Sequence, residues 1–140
     1  MRIQALHPNF VLPIKATDKA GAFDIYMPEA GAVSGHAGKL VGLGFAAEVP
    51  QGHVGLILPR SGVGAKHGLE LNNTCGVIDS DYRGEWKASL KTKNGSAFRW
   101  EVEDRLLQFL IVPVADIRLE QVDSLNTTER GTGGFGHTGK

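Results

Sequence analysis

Apolar and polar positions alternate in short runs along most of the 140 residues. Runs of this length separated by turn residues are the mark of strands rather than helices. Ala20–Met27 alternates until Pro28 stops it, and Lys39–Phe45 and His53–Leu58 read as two further strands. Between those two lies Val49-Pro50-Gln51-Gly52, where proline and glycine suit a type II turn. Leu69–Asn73 leads into the polar stretch Gly76–Glu85. Trp86–Lys93 turns Lys87, Lys91 and Lys93 outward, Asn94-Gly95 is the strongest hairpin signal in the chain, and Ser96–Val102 returns. Leu106–Val114, apolar but for Gln108 and Pro113, reads as a continuous apolar strand. The first fourteen residues, with Pro8 and Pro13, predict an extended edge strand, and Gly31–Gly38 a turn-rich region of small residues. Only Ser61–His67 offers helix. Ser61 could cap a single turn there, while Gly62, Gly64 and Gly68 oppose anything long.

These elements predict an all-β, jelly-roll-like barrel or sandwich over residues 1–125, with no internal repeat. From Asn126 the chain is threonine, glycine and charge, with Phe135 its only large apolar residue. Residues 126–140 therefore read as a flexible arm, mobile until something orders it.

Charge narrows the function classes. Fifteen Lys and Arg balance fifteen Asp and Glu, which argues against a general nucleic-acid or membrane-surface binder, because those rely on a broad basic excess. An anionic ligand would have to be held by local groups. The single cysteine, Cys75, leaves no internal disulfide framework and fits a reducing compartment; with no His or Lys beside it, it reads as a small core residue. Met1–Phe10 lacks a cationic start followed by an apolar run, and Leu106–Ala115, interrupted by Gln108 and Pro113, is too short to cross a bilayer. The expectation is one soluble, cytoplasmic domain.

Several constellations suit a phosphorylated ligand. Gly76–Glu85 sets Asp79, Asp81, Tyr82 and Arg83 on a turn bounded by strands, a rigid platform for chemistry; the Asp-Ser-Asp triplet alone would read as a solvated turn. Pro59-Arg60-Ser61-Gly62-Val63-Gly64 combines a forked cation, a hydroxyl and approachable backbone, which can cradle a phosphate. Standing alone it would equally be a surface turn. Gly134–Lys140 fits part of a P-loop pattern but lacks the preceding buried strand, the following helix and the hydroxyl residue after the lysine. Arg130, His137 and Thr138 could still fold over phosphates while Phe135 stacks on a flat base. The five histidines show no ligand spacing, which argues against a His/Cys metal site. A carboxylate-and-water Mg²⁺ site is open to Asp24, although spacing alone favours a surface aspartate.

Taken together, five segments closely resemble the homotrimeric dUTPase family. They are Ala20-Gly21-Ala22-Phe23-Asp24, Pro59-Arg60-Ser61-Gly62, Gly76–Gly84, Arg105-Leu106-Leu107-Gln108 and Arg130–Gly136, in order along nearly the whole chain. The resemblance implies a jelly-roll-like homotrimer with active sites at subunit interfaces and the tail exchanged between subunits. It implies hydrolysis of dUTP to dUMP and pyrophosphate with Mg²⁺, limiting uracil in DNA and supplying dUMP for thymidylate synthesis. By similarity, Asp79 is the general base for the attacking water, Arg60, Ser61, Gly62 and Gln108 hold phosphates, and Asp24 meets Mg²⁺ through water. Uracil would sit in the hairpin spanning Asn73, Gly76, Val77 and Ile78, with Tyr82 under the deoxyribose refusing a 2′-hydroxyl. Arg130, Phe135, Gly136, His137 and Thr138 would close over the site. Leu107 is bulkier than expected before Gln108, which could alter packing near the interface, and His137 stands where serine is frequent.

Two other readings stay open. A dCTP deaminase-like enzyme of the same superfamily would need Glu85 as its acid/base, and a trimeric interaction protein could keep nucleotide binding as a regulatory signal. Any additional protein partner is left unspecified by the sequence.

Overall fold

The computed structural model describes residues 1–134 and consists of eleven strands and one short helix among them. In chain order these are β1 (Ile3–Ala5), β2 (Phe23–Tyr26), β3 (Gly31–Val33), β4 (Lys39–Gly42), β5 (Phe45–Ala47), β6 (His53–Pro59), α1 (Ser61–His67), β7 (Leu69–Leu71), β8 (Gly76–Ile78), β9 (Lys87–Thr92), β10 (Phe98–Trp100) and β11 (Arg105–Pro113). These strands pair antiparallel, in sheets ordered β1-β5, β10-β3, β2-β11-β6-β8 and β4-β9-β7. The all-β expectation holds. Among the described residues, no helix is long and apolar enough to cross a membrane.

The strand with the longest apolar run became the organising one. β11 lies between β2 and β6, so its residues are covered on both edges, and Leu106, Leu107 and Phe109 are buried. Phe109 meets Trp86 edge-on at 5.2 Å and stacks on Phe23 at 5.1 Å, while Phe45 closes on Trp86 at 5.2 Å. Offset and edge-to-face contacts of this kind add to the gain from burial. Leu107 sits wholly inside this core, so its bulk fills the interior and does not bear on a surface.

Six local expectations are corrected. Within Gly31–Gly38, Gly31–Val33 is a strand paired with β10. A Cβ on Gly31 would meet the Trp100 indole, whose Nε1 donates to the Glu29 carbonyl at 2.9 Å. The N-terminal segment forms only β1 and one bridge, Ile14 to Asp24, rather than a long edge strand, because Pro8 and Pro13 cannot donate to a ladder. Asn94-Gly95 makes a turn, with Gly95 N–H reaching Thr92 O at 3.2 Å, but not a hairpin. Both edges of β9 are already taken by β4 and β7, and the returning chain pairs with β3. α1 runs seven residues, starts at an extended Arg60 without a side-chain cap, and ends at Gly68, whose φ of 64° is the left-handed cap that glycine adopts freely. Cys75 is half-buried beside the Gly76 carbonyl and lies outside the core. The turn expected over Val49–Gly52 falls one residue later, at Pro50–His53, closed by His53 N–H on Pro50 O at 3.1 Å, which puts Gly52, at φ 74°, where a type II turn needs a positive φ.

Candidate active site

Strand register assembles the first group of residues. Gln108 on β11 lies opposite Asp24 on β2 and Leu58 on β6, just before the chain turns into α1 at Arg60. The result is an open cleft of about 700 Å³ whose lining includes Asp24, Arg60, Ser61, Gly62 and Gln108. Asp24 is no surface aspartate: its side chain is 8% exposed. Its carboxylate lies 3.1 Å from Arg60 Nε and 3.3 Å from Arg105 Nη1. Burial of a carboxylate requires such partners, and charge-assisted bonds orient planar guanidinium groups strongly. Arg60 Nη1 also donates to the Arg105 carbonyl at 3.0 Å, and Gln108 Nε2 to the Pro59 carbonyl at 3.1 Å.

Arg105 belongs to the Arg105–Gln108 segment, whose sequence alone gives it no individual role. Between Arg105 and Leu107 the β2–β11 register slips by one residue. Such a bulge reverses side-chain parity, which puts Arg105 on the face of Asp24 and Gln108. Simple alternation along the sequence would place Arg105 and Gln108 on opposite faces.

A second group stands on β8 and the turn after it. Val77, Ile78, Asp79, Tyr82, Glu85 and Lys87 line a separate pocket of about 170 Å³. Preceding it, Thr74 holds φ 67°, a left-handed conformation unusual for a β-branched residue, and Asn73 Nδ2 donates to Cys75 O at 2.9 Å. After β8 the turn is tied internally. Arg83 Nη1 donates to the carbonyls of Ser80 at 2.8 Å and Tyr82 at 3.1 Å, and Tyr82 N–H to Asp79 O at 3.2 Å. Asp79 itself is exposed. Glu85 is not a free acid: Oε1 accepts from Gly44 N–H at 3.2 Å, and Lys87 lies 3.8 Å from Oε2.

One chain does not bring these groups together. Ile78 pairs with Gly55 near one end of β6, whereas Arg60 follows its other end. Five residue steps along β6 lead from Gly55 to Arg60, about 17 Å. Arg130 is exposed and donates to Gly133 O at 2.9 Å. Phe135, Gly136, His137 and Thr138 lie outside the described residues. Among the described residues, no group of three or more His, Cys, Asp or Glu could hold a metal. Of the described residues lining the first cleft, Asp24 is the only carboxylate, a donor set that suits Mg²⁺ only if waters and ligand oxygens complete its shell.

A model of the dUTPase family matches residues 9–139. This chain belongs to the dUTPase family. A deoxyuridine 5′-triphosphate nucleotidohydrolase of Nautilia profundicola is 41% identical over 140 residues, covering all of this chain and 99% of that relative. The dUTPase fold is shared with the Staphylococcus bacteriophage 80alpha dUTPase solved with dUpNHpp. That structure has a TM-score of 0.90 at 24% identity, covering 99% of this chain and 98% of the phage chain. A mutant dUTPase of phage phi11 of S. aureus, described with a structural Mg(II) ion, has a TM-score of 0.79 at 23% identity, over 88% of this chain and 96% of that one.

Proposed function

We propose that the protein hydrolyses dUTP to dUMP and pyrophosphate as a homotrimer whose sites are each built from more than one subunit. Family membership supports the substrate. The observation that carries the assembly is the separation of Asp79 from Arg60 by the length of β6: a proton acceptor and a phosphate clamp so far apart cannot serve one phosphorus atom. A symmetric oligomer can join the two half-sites by placing the β8 turn of one copy beside the Arg60 cleft of another.

In that arrangement Arg60, the Ser61 hydroxyl, Gly62 and Gln108 hold the triphosphate, and Arg105 acts through Asp24 to orient the Arg60 fork. Asp79 orients the water that attacks the α-phosphorus and accepts its proton. Asn73, Gly76, Val77 and Ile78 contact uracil, and Tyr82 underlies the sugar. Residues 126–140 form the arm, with Arg130, Phe135, Gly136, His137 and Thr138 closing over the site and excluding water. Mg²⁺, when bound to the triphosphate, would neutralise charge that develops on phosphate oxygens. Asp24 would meet it only through water, since both carboxylate oxygens already face arginines. The reaction would limit uracil in DNA and supply dUMP for thymidylate synthesis, in the cytoplasm.

The deciding assay is pyrophosphate release from dUTP, dCTP, UTP and dTTP, with and without Mg²⁺. Mg²⁺-dependent release from dUTP alone is expected. Release from dCTP would point to the deaminase-like reading, which the engaged Glu85 carboxylate disfavours. Binding of dUTP without release would leave the regulatory reading.

A further inference from the structure

The pocket around Tyr82 is built on two positions that lack side chains. A Cβ added to Gly84 would lie 2.6 Å from Tyr82 Cζ and 3.0 Å from Cε2, closer than carbon atoms pack. The hydroxyl end of the phenol ring therefore occupies the space that a side chain on Gly84 would need. Its hydroxyl donates to the Glu85 carbonyl at 3.0 Å. Glu85 is itself pinned, because its carboxylate accepts from Gly44 N–H and fills the space that a side chain on Gly42 would occupy, with Cδ 3.0 Å from that Cβ position. Gly84 does not have a positive φ. Its backbone thus does not demand glycine; its neighbour does.

Resting on the proposal that Tyr82 lies under the deoxyribose, we infer that Gly84 is a specificity-determining position. Gly84 and Glu85 together form a seat that fixes the plane of the Tyr82 ring. Refusing a substrate for one added hydroxyl requires a wall that does not yield, since a soft pocket rejects a small extra group poorly. Tyr82 is 42% exposed on a turn, so its position depends on what lies beneath it. The hydroxyl end of the ring sits in the space left by Gly84 and is tethered to the Glu85 carbonyl, which restrains the ring. A methyl group at position 84 would lift the ring and draw the hydroxyl off the Glu85 carbonyl. The wall would remain in composition and lose its position.

The test compares kcat/KM for dUTP and UTP in the full-length enzyme and in Gly84→Ala, Tyr82→Ala and the double variant. Gly84→Ala is expected to lower the dUTP-to-UTP ratio by about tenfold or more. In the Tyr82→Ala background it should change the ratio no further, because no ring remains to be lifted. Partial misfolding would lower both rates equally and leave the ratio intact, so an unchanged ratio in Gly84→Ala, with Tyr82→Ala relaxed, overturns the seat alone. An unchanged ratio in Tyr82→Ala overturns the sugar-floor reading and the seat with it. Should Gly84→Ala fail to fold, Tyr82→Phe removes only the tether; a partial fall in the ratio supports the seat, and no fall overturns it.

Discussion

Arg105 faces Asp24 across the β2–β11 ladder, its Nη1 3.3 Å from the carboxylate, because that ladder slips by one residue between Arg105 and Leu107. The slip gives a buried carboxylate two guanidinium partners, Arg60 and Arg105, and ties the latter to the first through its own backbone carbonyl. Arg60 thereby has little freedom to rotate away from the cleft.

Loss of Arg105 should consequently be felt at Arg60. Arg105→Ala is expected to lower kcat/KM for dUTP by about tenfold to a hundredfold, the scale of a small misplacement of a clamping group. Melting temperature should move little, since the Arg105 side chain is 40% exposed and Arg60 still pairs the buried Asp24 carboxylate. Steady-state kinetics beside thermal melts would separate the two effects. Unaltered kinetics would remove Arg105 from the site.

Asp79→Asn keeps the size of the side chain on the β8 turn and removes the proposed proton acceptor. Turnover of dUTP should become undetectable in routine assays while affinity for a non-hydrolysable dUTP analogue, measured calorimetrically, stays near the wild-type value. Near-normal turnover would refute Asp79 as the base.

Subunit sharing makes a distinct prediction. Homotrimers of Asp79→Asn and of Arg60→Ala should each be inactive, yet subunits unfolded, mixed in equal amounts and refolded should regain about a quarter of wild-type activity. That is the share of random subunit pairs in which each contributes its intact residue. A mixture as inactive as its components would place both residues in one chain's site.

Removal of Gly131–Lys140 should lower kcat severely and leave both the proposed trimer, measured by light scattering, and its melting temperature unchanged, as the proposed closing role requires. An unaffected rate would dismiss closure by the arm.

Phe109→Ala empties the junction of Trp86, Phe45 and Phe23. A loss of about 3–5 kcal/mol of unfolding free energy is expected from chemical denaturation, combining lost burial with the cavity left behind.

The alternation of Phe23–Tyr26, the run of Leu106–Val112, apolar but for Gln108, and the turn at Gly52 are properties of neighbouring residues, and the chain carries them openly. The same holds for the order of the five segments that carry Asp24, Arg60, Asp79, Gln108 and Arg130, on which the family resemblance rests. Which strands would pair was another matter. Gly31–Val33 reads as turn until Trp100 covers Gly31, and Asn94-Gly95 reads as hairpin until β4 and β7 occupy both edges of β9, because pairing depends on partners distant in sequence. The slip that turns Arg105 toward Asp24 has no sequence mark. Nor does the spacing along the chain tell that Asp79 and Arg60 end at opposite ends of β6. Residue types and their order determined which chemistry is available here; strand register alone decided which of those groups can meet, since a shift of one residue turns a side chain to the other face.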